Sequence, residues 1–553
     1  MVLRHTFLLV MGAAAALAQV NSFPRPSYFR ESFAHPATEI ELAPPVRLED
    51  FVVQGKDGKV LELSLKDYLG LVMANNTSVA IQRLTIVTAQ DAITRSFSAF
   101  DPKGAASWST SRSKSPVSSL VDIGQVGTSG LATSALDTLR QPGNFSWSQT
   151  LPEGTFYSVQ FSASKLNTNS SSVTFNPSLN ASLNVSFSQP LIRNRGTYVN
   201  RLPIIIARGN LHQTQYQLRD RILTAVQNAE NAYWDVVLAH ANLRVQEEAL
   251  KLAQEALKRA QQELDLGAMS PLDIYNPQQQ QATAEIAVSQ AKYSLQQVEN
   301  TLRMNISADL NPQVRKLPIA LTETVEPPEN QAPINADAAV DKALRARPDL
   351  LALRVALDVD NLQIKQAANL LRPDLELTGG YSSQGLGGIY NYTNAGQAAT
   401  IPGGFSDSLS QLFGFGYPIY TFGLTLNLPI RNRSASANYA DTIVSKRSDA
   451  LSARMTEQQI RLDVLNAISQ AQAAKDSVRL AKVAKQFSEK YLEAEQKKYE
   501  LGTSEIFFVL QAQNALVTAD SAVVQNAITY RRNILNLLRK TGELLEERGI
   551  ELQ

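Results

Sequence analysis

No proline interrupts the chain between Ile205 and Gly267, or between Asn432 and Gly502. Each run follows a segment of alternating apolar and polar residues. The tetrapeptide Ile-Arg-Asn-Arg stands at both changes of pattern, at Ile192–Arg195 and Ile430–Arg433. A period of two residues gives way there to one of about three and a half. About 70 residues of helix at 1.5 Å per residue is about 105 Å, longer than any ordinary domain diameter. A strand feeding a very long helix, twice over, excludes a simple globule.

The two halves correspond by position. Pro102 and Pro373 lie 271 residues apart (373 − 102), as do Thr77 and Pro348. The interval is 238 for Ile192 and Ile430, and 235 for Leu266 and Leu501. An interval that stays nearly constant along the elements and makes its large step across a loop is the mark of duplication. Residues 60–310 form the first helix–strand–strand–helix–helix unit, with strands near 103–112 and 154–190 and helices over 64–98, 196–266 and 270–309. Residues 334–545 form the second, with strands near 373–384 and 417–429 and helices over 335–371, 433–501 and 504–543. Ser64 and Asn335 suit the N-caps of the two first helices. Residues 311–333 read as a proline-rich connector, 19–59 as an extended arm and 546–553 as a tail.

The strands point to a membrane. Leu179, Ala181, Leu183, Val185 and Phe187 alternate with Ser178, Asn180, Ser182, Asn184 and Ser186. Tyr157, Val159, Phe161 and Ala163 alternate with serine and glutamine, and Phe422, Leu424, Leu426 and Leu428 repeat the pattern. An outer-membrane strand needs about 9–11 residues with a lipid face and a polar lumen face. A charged start (Arg4, His5), an apolar run Thr6–Ala18 and an Ala-Leu-Ala end give residues 1–18 the pattern of a signal peptide. No later run of about 18 apolar residues suggests a spanning helix. Export without such a helix leaves a β-barrel as the means of crossing a membrane. The stretches 113–144 and 384–416, rich in Gly, Ser, Thr and Asn, read as loops, and surplus strand material at Phe145–Ala163 asks for a loop hairpin or longer strands.

Heptads mark the helices as supercoiled. Leu243, Leu250, Leu257 and Leu264 recur every seven residues, as do Ala473, Leu480, Phe487, Ala494 and Leu501. Both long helices end in Leu-Gly, at Leu266-Gly267 and Leu501-Gly502. Glycine suits a left-handed C′ position, with Ser270 as the next N-cap and Pro271 in the first turn.

Other functions fit poorly. The 52 basic and 51 acidic residues leave a net charge of +1, so no field draws nucleic acid. There is no cysteine, and the four histidines are scattered. No cofactor, metal or catalytic motif stands out, which argues against an enzyme. A trimeric coiled-coil surface stalk or adhesin is the rival of another class, but it calls for one continuous heptad array rather than hairpins separated by strands.

Taken together, the duplicated unit, the Ala-rich heptads, Arg347-Pro348-Asp349-Leu350, Gln189-Pro190-Leu191 and the paired Leu-Gly turns resemble the TolC family of outer-membrane efflux proteins over roughly residues 60–545. The resemblance implies an α+β membrane protein: a homotrimer whose protomers each lend four strands to a shared 12-stranded outer-membrane β-barrel, continuing into a long α-helical coiled-coil periplasmic tunnel. It implies an exit duct for efflux or type I secretion, with a periplasmic adaptor, an inner-membrane pump and outer-membrane lipid as partners. The adaptor-docking tips map onto Leu266, Gly267, Ala268, Met269 and Ser270, and onto Leu501, Gly502, Thr503 and Ser504. The periplasmic aperture maps onto Asp273, Phe508 and Gln511. Phe508 and Gln511 stand where the family's best-known member carries acidic residues, which suggests gating partly by an apolar ring; packing of Phe507 and Phe508 into the heptad seam is the other reading. Arg193, Arg195, Arg431 and Arg433 fall at the barrel–tunnel junction, near the inner lipid headgroups.

Overall fold

A computed structural model describes residues 46–55, 58–116, 135–170, 173–267, 269–326, 335–394 and 397–550. The signal-peptide segment and most of the arm lie outside the described residues, as do Ala268 and residues 117–134, 327–334 and 551–553. Contacts divide the chain into two compact units. One holds residues 91–208 and 359–446, and the other 38–90, 209–358 and 447–553.

The first unit is built on a sheet. Its strands are β3 (Lys103–Trp108), β4 (Ser111–Ser115), β5 (Leu136–Thr150), β6 (Phe156–Thr168), β7 (Phe175–Pro190), β9 (Asp374–Asn394), β10 (Gln397–Ile401) and β11 (Pro418–Asn427). Six of them run side by side in the order β11-β9-β7-β6-β5-β3, with β4 also against β5 and β10 against β9. Every neighbouring pair is antiparallel. The register puts Trp147, Val159, Val185, Tyr381 and Tyr420 in one row, and Ser146, Gln160, Asn184 and Ser382 in the next. Directly opposed residues share a face, so one face is apolar and the other polar. The apolar face carries large exposed side chains at both edges: Phe422 is 79% exposed and Trp108 71%.

Four strands were expected from this chain, and the sheet is six wide. The region read as the loop 113–144 supplies β4 and the start of β5, and 154–190 is two strands rather than one. The surplus at Phe145–Ala163 is thereby taken up inside the sheet. Apolar and polar residues alternate over Asn144–Ser148 of β5 as they do in β7, so that part of β5 can pair only with its faces matched. The other expected loop, 384–416, contains the end of β9, β10 and helix α7 (Phe405–Phe413). That helix lies along β9, where the Ser383 hydroxyl donates to the Leu412 carbonyl (3.0 Å) and the Ser408 hydroxyl to the Gly385 carbonyl (2.9 Å).

The second unit is a helical assembly around a conventional core. Strands β1 (Val52–Gly55), β2 (Gly58–Leu63) and β8 (Ile319–Leu321) form a small sheet. The arm and the connector are thus partly ordered, each lending a strand. Leu61, Leu63, Tyr68, Tyr233, Leu302 and Ile306 close the core, all nearly inaccessible. The expected first helices are each broken once, into α1 (Leu65–Asn75) and α2 (Thr77–Phe97), and into α5 (Ala336–Ala346) and α6 (Pro348–Leu370). Asn76 accepts from Ser78 N–H (2.9 Å) to restart one, and Pro348 disfavours the helical state at Arg347 in the other. Ser64 and Asn335 cap as read: Ser64 accepts from Asp67 N–H, and Asn335 from Asp337 and Ala338 N–H.

The long helices are α3 (Leu202–Asp265, 64 residues) and α8 (Arg433–Glu500, 68 residues), about 96 and 102 Å of helix. They are followed by α4 (Tyr275–Asn305) and α9 (Ile506–Thr541), and the chain closes on α10 (Leu544–Glu547). In α8 the seam lies elsewhere than the expected stripe. Ala453, Ile460, Ala467 and Ala474, with Val464, Ala471 and Val478, are buried, whereas Leu480, Phe487 and Leu501 are exposed. An Ala-lined stripe lets neighbouring backbones approach, so it wins the intramolecular contact. One helix, α9, is long and apolar enough by composition to span a bilayer, contrary to the sequence reading. Part of its apolar surface packs within the protomer: Ile506 and Leu510 meet α3, and Ile528 and Leu535 enter the main core.

Candidate functional site

Three places carry the expected functional residues, and each is built differently. At the tips, Gly267 (φ +74°) and Gly502 (φ +68°) take the left-handed conformation that their sequence position suggested. The second tip is a complete Schellman turn: Gly502 N–H donates to the Tyr499 carbonyl (2.9 Å) and Thr503 N–H to the Lys498 carbonyl (2.9 Å). Gly267 N–H makes the equivalent bond to Leu264 (3.0 Å). Leu266 (83%) and Leu501 (78%) are left standing in solvent.

The two tips are tied together. The Tyr499 hydroxyl donates to Glu263, and Met269 packs on Ala256, Ala260, Ile506 and Leu510. Beneath the second tip, Glu495 accepts from Lys498 (2.7 Å) and from the Ser504 hydroxyl (3.0 Å). The Lys498 bond holds its carboxyl below the ordinary range. Ser270 is not an N-cap. Residues 271–274 form a turn, Ser270 Oγ accepts from Leu272 N–H (3.3 Å), and α4 begins only at Tyr275. A serine hydroxyl bonding two residues on offers the backbone a turn in place of a helix start. The α9 start also falls later than expected, at Ile506.

Asp273, Phe508 and Gln511 are all exposed. The seam beside them is filled by Val509, Leu510, Ala512 and Gln513, with Phe507 and Phe508 outside it, edge to face at 5.5 Å. The seam-packing alternative for Phe508 therefore fails within one protomer.

At the junction the asparagines of Ile-Arg-Asn-Arg do the structural work. Asn194, at φ +58°, exchanges bonds with the buried Asn369: its N–H donates to Asn369 Oδ1 (3.2 Å), and Asn369 Nδ2 donates to Asn194 Oδ1 (2.6 Å). Asn432 caps α8 by accepting from Ala435 N–H (3.2 Å) and donates to the Leu370 carbonyl (3.4 Å). Both copies of the motif thus close on the last turn of α6. Sequence reading singled out the arginines. The signal for the asparagines was their type alone, since Asn is favoured at caps and left-handed positions. Arg195, Arg431 and Arg433 are exposed and Arg193 half-buried, and none forms a salt bridge among the described residues.

A sheet with one apolar and one polar face, in a chain that also carries two helices of about 100 Å, is the pattern of an outer-membrane protein with a helical extension. The outer membrane efflux protein family profile matches residues 155–306 and 339–543, and the chain belongs to that family. It is 23% identical over 343 residues to the toluene efflux pump outer membrane protein TtgC of Pseudomonas putida, covering 59% of this chain and 61% of that protein. It is 24% identical over 335 residues to the outer membrane protein TolC of Escherichia coli, covering 59% and 62%. These alignments span less than two thirds of the relatives' lengths. In fold it resembles the CmeC outer membrane channel of Campylobacter jejuni, with a TM-score of 0.60 and 16% identity over 87% of this chain and 86% of that one. The chain is accordingly a protein of the outer membrane that extends into the periplasm.

Proposed function

We propose that three copies of this chain form the exit duct of a tripartite efflux or type I secretion system, passively conducting cargo received from an inner-membrane pump through a periplasmic adaptor. The observation that carries the reading is the two-faced sheet, with apolar rows on one side and rows of mostly Ser, Asn and Gln on the other. Such a sheet is stable only where lipid is the solvent on one face and water on the other. The exposed sevenfold stripe on α8 supports assembly, because a second heptad seam on a helix already packed along its first calls for a neighbouring helix.

In this reading the two halves are one duplicated unit, and the barrel is shared among protomers. The tied tips, Leu266–Ser270 and Leu501–Ser504, dock the adaptor through Leu266 and Leu501. Asp273, Phe508 and Gln511 ring the aperture, with Phe508 closing it by packing and dewetting. Arg193, Arg195, Arg431 and Arg433 meet lipid phosphate at the inner rim.

The deciding experiment is reconstitution. Detergent-purified protein should migrate as a trimer and open conducting pores in a planar bilayer, and neither trimer nor pore would sink the reading. Phe508→Ala should raise the conductance of the closed channel; an unchanged value removes the aromatic gate but leaves the duct. Cysteine crosslinkers at Met269 and Thr503 should capture the adaptor.

A further inference from the structure

We infer that each protomer contributes six strands to the shared wall, so that the trimer closes as an 18-stranded barrel with a wide aqueous bore. This rests on the trimeric duct proposed above and fixes the size of its outer portal.

The hairpin β5–β6 is the decisive element. It pairs without interruption from Thr138–Thr168 down to Thr150–Phe156, and it lies between β3 and β7 rather than outside them. Its faces follow the wall: Phe145, Trp147 and Phe161 share the apolar side with Leu183 and Val185, while Ser146 and Gln160 share the polar side with Asn184. A hairpin lying above the membrane has no use for a lipid face of that height. Its turn, residues 151–155, sits at the helix end of the sheet, where Gly196 N–H donates to the Glu153 carbonyl (3.2 Å). Gly154 packs so tightly there that a Cβ would stand 2.7 Å from the Asn194 carbonyl oxygen. The hairpin therefore spans the wall from rim to rim with a short turn on the periplasmic side, as outer-membrane barrels do.

Six strands cannot close alone, since about eight are needed before an interior holds even side chains. Both outer strands are open along their length: every residue of β3 is exposed, as are nine of the ten in β11. Open edges are not tolerated in hydrocarbon. β3 leaves the helical end of the sheet and β11 returns to it, so β11 of one copy meets β3 of the next antiparallel. The occupant of each edge is thus a second copy of this chain. With three copies the wall holds 18 strands, about 1.5 times the diameter of a 12-stranded one, and barrels of 16–18 strands leave an aqueous channel. With a polar lining of mixed charge, Lys103 and Arg140 against Asp374 and Glu376 among uncharged Ser, Asn and Gln, such a portal passes bulky water-soluble cargo, and any sieve must lie at the periplasmic end.

The register at the seam follows from the β7–β9 pair, where Ser188 faces Thr378. Matching Pro190 to Pro429 and Pro102 to Pro373 carries that pair onto Asn427 and Ser107. The chain has no cysteine, so Ser107→Cys with Asn427→Cys gives a clean test. Oxidation should produce dimers and trimers on denaturing gels, while either single variant stays monomeric. A double variant that also stays monomeric overturns the edge pairing. Single-particle imaging of the detergent-solubilised protein then counts the wall. A threefold particle with 18 strands is expected. A threefold particle with 12, its hairpins outside the wall, overturns this inference and leaves the trimeric duct standing. A particle without threefold symmetry overturns both.

Discussion

The two sheets of this protein obey opposite rules. In the three-stranded sheet Leu61 and Leu63 are at most 1% exposed, sealed under Tyr68 and Tyr233. In the six-wide sheet, side chains of the same kind, such as Leu424 (64%) and Phe422 (79%), stand open. Leucine burial is worth about 1.5–3 kcal/mol wherever water is the alternative. The contrast is therefore in solvent: the small sheet hides from water, and the large one meets lipid.

The comparison can be broken at several points. The largest effect is expected on the water side, from Arg548→Ala. Glu230 is 1% exposed and held by Arg548 at 2.6 and 2.8 Å, so removing the arginine strands a buried charge. A loss of about 3–5 kcal/mol is expected in denaturant titration. A loss below about 1 kcal/mol would mean that water reaches this core. On the lipid side, Leu424→Arg should cost about 2–4 kcal/mol of barrel stability in a bilayer if it lies near the midplane. Its neighbour Thr425→Arg, on the polar face, should cost much less, and equal costs would contradict the two-faced wall.

At the junction, Asn194→Ala deprives the buried Asn369 Nδ2 of its acceptor while the backbone bond to Asn369 Oδ1 remains, and about 1–3 kcal/mol should follow. Arg195→Ala should be close to neutral for folding. At the tip, Gly502→Ala forces a side chain into the left-handed region, for about 1–2 kcal/mol, read as faster amide exchange over Leu501–Ser504.

The smallest effect is pH-dependent. Lys498 and Ser504 hold the Glu495 carboxyl below its ordinary 4.5. A depressed folded value means that the stabilisation is complete above pH 4.5 and fades as pH falls through the folded value. Amide protection of the second tip should fall over that acid range in the wild type, and Glu495→Gln should remove the dependence. A tip equally protected at every pH would show that the Glu495 contacts contribute nothing to its order.

Much of this was legible in the chain. The strand alternation, the long helices and the Leu-Gly tips follow from nearest-neighbour chemistry: side chains alternate across a strand, prolines are absent from a helix, and glycine accepts a positive φ. The Ser270 cap was misread because serine bonds a turn as readily as a helix start. The α8 seam was misread because two stripes share the same sevenfold spacing, and period does not say which one meets the partner. The β5 strand was hidden because its polar half, Asp137–Gly143, looks like a loop until β4 and β6 flank it.

By itself the sequence determined the two periods, their change at Ile-Arg-Asn-Arg, the faces of each strand and the turns at the tips. Each is set within about one helical turn or one strand of its own residues. The tertiary structure alone decided that β5–β6 enters the wall, that the alanine stripe of α8 turns inward, and that Asn194 and Asn432 converge on the end of α6. These depend on which distant surface offers matched faces, close approach and free hydrogen-bonding groups, and no local pattern encodes that choice.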